Sequence, residues 1–262
     1  MLLLHGHPQT HVMWHRVAPL LVEDFTIVAA DLRGYGDSSK PASTPDHEPY
    51  SKRAIARDHV VVMRALGFER FSVAGHDRGA YSSYRLALDH PERVERVAVL
   101  DIVPAGEAWR RADRRFMLEW WHWAFLAQPE PLPERFIDPE WYIARDQKRI
   151  ELWGDEAFAQ YLRCYKNPET IHAVCEDYRA NATIDREHDE ADRGVKKIEC
   201  PLLVLWGRHD DMECIYGDPL AVWRDWADDV RGRGLECGHY LAEELPKETA
   251  GELLAFFRRH PA

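Results

Sequence analysis

The sequence predicts an α/β fold, in which a mostly parallel sheet is covered by helices on both faces. Short apolar runs alternate with helical patterns before residue 104 and again after residue 200, which is typical of such sheets. Between them, residues 104–192 contain no convincing strand and are rich in Trp, Tyr and Arg. We therefore expect a core formed by residues 1–103 and 193–262, with a helical cap inserted at 104–192.

The individual elements follow from apolar runs and helical periodicity. The apolar runs predict strands at residues 2–4, 25–30, 71–74, 94–100, 202–206 and 230–235. The periodic segments of the core predict helices at residues 14–21, 50–66, 80–89, 220–226 and 247–258. In the second of these helices, the buried side is expected to carry Ile55, Val61, Val62 and Leu66.

The most specific motif is Gly75-His76-Asp77-Arg78-Gly79, which lies between a predicted strand and a predicted helix. This context matches the nucleophile elbow of α/β hydrolases, where G-x-S-x-G exposes a reactive side chain above the sheet. Here the central residue is Asp77, whose carboxylate is ionised at neutral pH because its reference pKa is about 4. A carboxylate can attack saturated carbon and later be released from the resulting ester. The motif therefore predicts an α/β-hydrolase fold and favours dehalogenase or epoxide hydrolase chemistry over esterase chemistry.

Two further polar residues complete a catalytic set, because Asp101 and His239 each follow a predicted strand. The carboxyl ends of parallel strands meet at one edge of a sheet, and nucleophile, acid and histidine occur in the chain order expected of this fold. We predict that Asp77 attacks carbon, His239 deprotonates a water and Asp101 orients His239. Backbone N–H groups of His7 and Arg78 are the predicted oxyanion hole.

The identity of the acid has alternatives. Asp210 and Asp211 follow the strand predicted at 202–206, a second position at which proteins of this fold carry their acid. The fold also usually has two strands before the one that here begins at residue 2. Without them, we expect an exposed sheet edge.

The composition excludes several classes of function. Asp and Glu number 45 against 34 Lys and Arg, a formal net charge of −11, which disfavours nucleic acid and anionic membranes as partners. Five scattered cysteines without a C-x-x-C motif indicate a reduced, cytoplasmic protein. The 14 histidines show no trusted metal-ligand spacing, so we predict no metal. No cofactor is expected, because side chains alone supply the nucleophile and the base.

The chain resembles the fluoroacetate (haloacetate) dehalogenases of the α/β-hydrolase superfamily over nearly its whole length. The matching segments are residues 5–16, 31–36, 75–80, 99–102, 122–129, 175–180 and 187–189. The resemblance implies hydrolytic removal of halide from a short 2-haloacid, with Asp101 as the triad acid. It also implies a small-molecule substrate and a homodimer.

The resemblance implies roles for side chains that the motifs alone leave unassigned. His122, Trp123 and Tyr178 match the family's halide pocket, where an imidazole, an indole and a phenol can donate hydrogen bonds to the leaving halide. Arg78 matches an arginine that binds the substrate carboxylate, which a guanidinium can do bidentately.

The chain departs from the family pattern at two positions. Tyr81 stands where the family has a second carboxylate-binding arginine, and His7 stands where it usually has Phe. Both are predicted to contact substrate. Arg85, one helical turn after Tyr81, is a candidate to replace the missing charge.

Three other functions remain open at this stage. An epoxide hydrolase would need phenols in the cap to protonate the opening ring, with Tyr178 as one. The candidates for the second phenol are Tyr142, Tyr161 and Tyr165. A haloalkane dehalogenase would bind a neutral substrate. A non-catalytic binding protein on this scaffold would not need Asp77, Asp101 and His239 together.

Overall fold

A six-stranded parallel sheet forms the centre of the protein, in the order β2-β1-β3-β4-β5-β6. The computed structural model describes residues 1–144 and 147–258. The strands are β1 (Leu2–Leu4), β2 (Val28–Ala30), β3 (Phe71–His76), β4 (Val94–Leu100), β5 (Leu202–Gly207) and β6 (Val230–Leu235). All six lie where apolar runs predict them, although β2 is shorter than expected.

Helices connect the strands and cover the sheet. The helices of the core are α1 (Lys52–Ala65), α2 (Arg78–Asp89) and, after the cap, α12 (Met212–Tyr216), α13 (Pro219–Arg224), α14 (Leu241–Glu244) and α15 (Pro246–Phe257). A single helix at 14–21 is not formed. Instead, two short 3-10 helices span His11–Arg16 and Ala18–Leu20, and Pro19 lies in the second.

The segment between β4 and β5 forms the cap. Its helices are α3 (Ala105–Arg110), α4 (Arg114–Glu119), α5 (Trp121–Leu126), α6 (Leu132–Phe136), α7 (Pro139–Ala144), α8 (Gln147–Trp153), α9 (Asp155–Tyr165), α10 (Pro168–Ala180) and α11 (Arg186–Asp192). A π-helical turn, Asn181–Asp185, joins the last two. Apart from residues 145 and 146, which lie outside the description, residues 104–192 contain no strand.

The buried side of α1 differs from the sequence prediction. Ile55 is buried as expected, but Val61, Val62 and Leu66 are 62%, 40% and 54% exposed. The helix instead buries Ala56, His59 and Met63, together with Lys52. The buried face is thus the more polar one, and its Lys52 ammonium donates to Asp177 in the segment between β4 and β5.

One edge of the sheet is formed by β2, whose three residues are all partly exposed. It pairs with β1 on one side, and no strand within residues 1–144 or 147–258 pairs with its other side. An exposed edge was predicted, and the structure has one. None of the helices in these ranges is long and apolar enough to cross a membrane, and all five cysteines are free thiols.

The sharp turn between β3 and α2 depends on close backbone approach at two glycines. A Cβ atom on Gly75 would lie 2.4 Å from backbone atoms of Gly79, and one on Gly79 would lie 2.5 Å from Leu4. Between them, Asp77 has a φ of 45°, a conformation that non-glycine residues adopt rarely and mostly at functional sites. The chain therefore presents Asp77 at the end of β3.

We expect Gly79→Ala to lower the free energy of unfolding by about 1–3 kcal/mol, since the new methyl group must displace β1 backbone. Gly251→Ala is the matched control in α15. Nothing lies within 4 Å of its added Cβ, so helix propensity should stabilise the protein by about 0.5–1 kcal/mol. Urea unfolding measures both, and equal effects from the two substitutions would contradict this account of the turn.

Candidate active site

Asp77 lies at the turn between β3 and α2, and its side chain is almost fully buried. Its Oδ1 accepts a 2.7 Å hydrogen bond from the backbone N–H of His7, one of the two N–H groups predicted for an oxyanion hole. Burial opposes ionisation of this carboxyl. The positive charges of His239 and Arg78 outweigh burial, so the pKa of Asp77 lies below its ordinary value. Asp77 is therefore ionised at neutral pH.

His239 follows β6 and contacts Asp101, which follows β4. The His239 Nδ1 lies 2.6 Å from Asp101 Oδ2, and Asp101 Oδ1 accepts a 2.8 Å hydrogen bond from the N–H of Gly207. Burial lowers the pKa of His239, but the hydrogen bond and charge of Asp101 outweigh it and raise the pKa to about 9. Because Nδ1 is held by Asp101, Nε2 is the nitrogen left for reaction.

The structure separates the alternative acids. Asp210 Oδ2 lies 3.8 Å from His239 Nδ1, too far for a hydrogen bond, and Asp211 accepts hydrogen bonds from Arg115 instead. Asp101 is therefore the carboxylate that holds His239. Burial and the nearby charge of Asp210 raise the pKa of Asp101, and the hydrogen bond and charge of His239 oppose that rise.

Ligand atoms of Asp101, Asp210 and His239 all lie within 4.8 Å of one another, a spacing that could hold a cation. Two of the three groups already bond to each other. A cation bound here would compete with the Asp101–His239 hydrogen bond, so the prediction of a metal-free site remains a prediction.

A cavity of about 350 Å³ opens above Asp77 and brings most of the predicted site residues together. The predicted residues that line it are His7, Asp77, Tyr81, Asp101, His122, Trp123, Tyr178 and His239. The cap contributes its roof, and the carboxyl ends of the strands contribute its floor.

The three side chains predicted to bind halide converge in this cavity. The Tyr178 ring lies 5.8 Å from the His122 ring and 6.2 Å from the Trp123 ring, both measured between centroids. His122 also stacks with His7 at 6.3 Å. The Tyr178 hydroxyl is buried and has no hydrogen-bond partner among the described residues. A buried phenol without a partner costs free energy, which a bound anion would recover.

Arg78 does not line the cavity, contrary to the simple expectation of a residue exposed to substrate. Its side chain is fully buried, and its Nε donates a 2.7 Å hydrogen bond to Asp177 Oδ2. The guanidinium carbon lies 4.2 Å from the Tyr178 ring centroid and 5.3 Å from that of Tyr81. However, Nη1 is buried without a partner among the described residues, so one donor remains unused.

Arg85 does not replace the missing arginine. It bonds to Asp89, Asp189 and Asp192 and does not line the cavity. Tyr81, at the family's arginine position, is buried and packs against Trp123 at a centroid distance of 5.9 Å. The helical spacing suggested Arg85, but its side chain turns to the acidic residues of α11.

Of the candidate phenols, only Tyr142 joins Tyr178 in the cavity lining among the described residues. Its hydroxyl lies 3.2 Å from His7 Nε2. Tyr165 stacks on Tyr142 from outside the cavity, and the Tyr161 hydroxyl donates to Glu243.

Sequence reasoning missed several lining residues, which are Glu119, Trp120, Trp121, Arg149 and Tyr240. The aromatic run 120–123 was a usable signal for Trp120 and Trp121. No sequence pattern indicated Arg149, because it reaches the cavity only through the packing of α8 against the core. Its guanidinium carbon lies 5.6 Å from the centroid of the Tyr240 ring. It is the one Lys or Arg among the described lining residues.

Comparison with known proteins agrees with this geometry. The family model of the alpha/beta hydrolase fold matches residues 1–229. A fluoroacetate dehalogenase of Burkholderia sp. is 43% identical over 266 residues, covering 98% of this chain and 86% of that protein. A soluble epoxide hydrolase of Corynebacterium sp. (strain C12) is 28% identical, covering 98% and 89%.

Solved structures give the same picture. A protein of Nostoc sp. PCC 7120, provisionally described as an α/β hydrolase, superimposes with a TM-score of 0.93 at 53% identity, covering 99% of this chain and 90% of that one. A Pseudomonas aeruginosa protein, provisionally described as an epoxide hydrolase, superimposes with a TM-score of 0.91 at 42% identity, covering 98% and 87%.

The fold, the elbow and the family match define an α/β hydrolase, as the sequence predicted. Within that class, the chain belongs to the fluoroacetate dehalogenase family. The resemblance seen in the sequence segments is thereby confirmed.

We expect Asp210→Asn to move the acidic limb of the pH–rate profile to lower pH. His239 can accept a proton only when neutral, so activity is lost as the pH falls through its pKa. The negative charge of Asp210 contributes to the raised pKa of His239, and removing it lowers that pKa. The measurement is kcat of the hydrolytic reaction as a function of pH.

Asp211→Asn is the control for this limb, because it removes a neighbouring carboxylate that is held by Arg115 rather than placed beside His239. It should leave the midpoint of the limb unchanged. An equal shift in both variants would mean that general surface charge, not the Asp210–His239 contact, sets the profile.

Proposed function

We propose that the protein is a hydrolytic dehalogenase of short 2-haloacids, with haloacetates as the model substrates. The observation that carries the proposal is the convergence of Asp77, the Asp101–His239 pair and three halide donors on one cavity. The 43% identity to a fluoroacetate dehalogenase supports the same reaction.

In the first step, Asp77 Oδ2 attacks the carbon that carries the halogen. A carbon–oxygen bond forms, and the carbon–halogen bond breaks with its electron pair leaving on the halide. His122, Trp123 and Tyr178 receive the halide as hydrogen-bond donors. Donors fixed before reaction stabilise developing charge without the cost of reorganising, which matters most for fluoride.

In the second step, His239 Nε2 takes a proton from water, and the hydroxide attacks the Asp77 carboxyl carbon. The oxyanion then forms on Oδ1, the atom already bonded to the N–H of His7. Collapse of this intermediate returns the proton from His239 to the departing alkoxide. The products are a 2-hydroxyacid, whose hydroxyl oxygen was Asp77 Oδ2, and an Asp77 carboxyl group that carries the oxygen of water. This carboxyl group releases the second proton of water as the carboxylate re-forms.

The substrate carboxylate needs a cationic partner, and we propose Arg78, although its side chain is fully buried against Tyr81 and Tyr178 and is not part of the cavity lining in this structure. Its Nη1 is a buried donor without a partner among the described residues, and its guanidinium lies against Tyr178 and Tyr81, both of which line the cavity. Tyr81 donates through a phenol in place of the family's second arginine.

Epoxide hydrolysis is the second candidate, because Tyr142 and Tyr178 both line the cavity opposite Asp77. Two phenols can protonate the oxygen of an opening epoxide while the same carboxylate attacks carbon. The 28% identity to a soluble epoxide hydrolase supports this alternative.

The test is halide release from fluoroacetate and chloroacetate by the parent protein, Asp77→Asn and Tyr81→Arg. We expect release from the parent and none from Asp77→Asn, since an amide is not a nucleophile here. Tyr81→Arg should lower KM by roughly tenfold, because an added charged contact is worth about 1.4 kcal/mol or more.

Styrene oxide, assayed with the parent and Tyr142→Phe, separates the two candidates. Diol formation that disappears in Tyr142→Phe, with no halide released from either acid by the folded parent, would replace the dehalogenase proposal by the epoxide one. Chloride release without fluoride release would keep the dehalogenase proposal and show that the three donors do not suffice for fluoride.

A further inference from the structure

A buried cluster of charges lies behind the cavity wall and includes Lys52, which no motif suggested. Lys52, Arg78 and Asp177 have side chains that are 1%, 0% and 0% exposed. Asp177 Oδ2 accepts from Arg78 Nε at 2.7 Å and from the Tyr35 hydroxyl at 2.8 Å. Its other oxygen, Oδ1, accepts from Lys52 Nζ. The Asp177 carboxylate therefore accepts hydrogen bonds from two buried basic side chains.

The cluster contains two carboxyl groups, Asp177 and Asp185, for its two basic side chains. Asp185 is the other carboxyl close to Lys52, and its Oδ1 accepts from the Lys52 backbone N–H at 2.8 Å rather than from its ammonium. Burial raises the pKa of Asp185, and the charge of Lys52 opposes that rise. Buried charges are expensive unless they are paired, so an anion beside the unpartnered Arg78 Nη1 would stabilise the arrangement.

Two anions can fill this place at different moments of the proposed reaction. In the resting protein, the Asp77 carboxylate is the neighbour of Arg78, whose charge helps to lower the pKa of Asp77. When Asp77 becomes an ester, it loses its charge. A substrate that carries a carboxylate then supplies the missing anion, whereas a neutral substrate leaves the cluster uncompensated.

We propose that Lys52 is a positioning residue that makes the site selective for anionic substrates. By sharing Asp177 with Arg78, Lys52 prevents that carboxylate from neutralising the guanidinium and leaves Arg78 Nη1 with an undiminished charge for the substrate carboxylate. Lys52 acts through Asp177 and Arg78 and does not touch substrate. The inference rests on the proposed function, in which Arg78 receives that carboxylate.

The same argument explains how one arginine can serve where the family has two. Tyr81 brings no charge, and Arg149 is the one Lys or Arg among the described lining residues. Buried cations beside the cavity wall therefore add to the positive potential at the site. Charges in a protein interior are only weakly screened. Lys52 shares the Asp177 carboxylate with Arg78, so it is close enough to raise the positive potential around Arg78.

The experiment measures equilibrium binding of glycolate and of its neutral counterpart glycolamide by calorimetry. The variants are Lys52→Gln, which keeps a hydrogen-bond donor for Asp177 without the charge, and Lys52→Arg, which keeps the charge. We expect Lys52→Gln to weaken glycolate binding by on the order of tenfold and to leave glycolamide unchanged. Lys52→Arg should restore glycolate binding.

Arg85→Gln is the matched control, because Arg85 is also a buried cation but is compensated by three carboxylates away from the cavity. It should not change the ratio of the two affinities. Equal weakening of both ligands by Lys52→Gln, or the same selective loss in Arg85→Gln, would overturn the inference. If Lys52→Gln does not fold, Lys52→Met is measured under the same criteria.

The outcome can be separated from that of the proposed function. If no halide is released by the folded parent, yet Lys52→Gln selectively loses glycolate, the anion site stands without the dehalogenase reaction. If halide is released and the selectivity does not change, the reaction stands and Lys52 has only a structural role.

Discussion

The strained turn that carries Asp77 is the constraint on which the rest of the site depends. A non-glycine residue at a φ of 45° persists only where its surroundings hold it, and here Gly75 and Gly79 allow β1, β3 and α2 to approach closely enough. The same approach brings the N–H of His7 to Asp77 Oδ1. Backbone geometry thus distinguishes the two carboxylate oxygens, since Oδ1 accepts this hydrogen bond and Oδ2 is the one proposed to attack.

Electrostatics around this turn are organised on two sides. On one side, Asp101 holds His239 and raises its pKa, with Asp210 adding charge from a short distance. On the other, Asp177 holds Arg78 and Lys52 in a dry cluster. Asp77 lies between His239, which must be neutral to act as the proposed base, and Arg78, which stays charged. Asp101 is the buried carboxylate beside His239, and Asp177 is the one beside Arg78.

The cap supplies much of the wall of the cavity above Asp77. Its aromatic residues wall the cavity, and several of them pack on one another, so that Trp123 contacts Tyr81 and Tyr178 at once. Because packed interiors resist small changes in volume, a substitution at Tyr81 is felt at the residues proposed to receive halide. Under the proposed function, such a substitution is therefore expected to affect both substrate binding and halide binding.

Local periodicity and a short motif are enough to predict the alternating strands and helices, the turn that carries Asp77, and the chain order of Asp77, Asp101 and His239. The sequence by itself could not determine which face of α1 is buried, since Val61, Val62 and Leu66 face solvent while Lys52 is inside. The motifs alone did not separate Asp101 from Asp210, although the family resemblance favoured Asp101. No pattern in the sequence showed that Arg85 turns away or that Arg149 reaches the cavity. These features depend on contacts between charged residues that are far apart in the chain and come together when cap and core pack, as for Lys52 with Asp177 and Arg85 with Asp189. Such contacts leave no local pattern in the sequence.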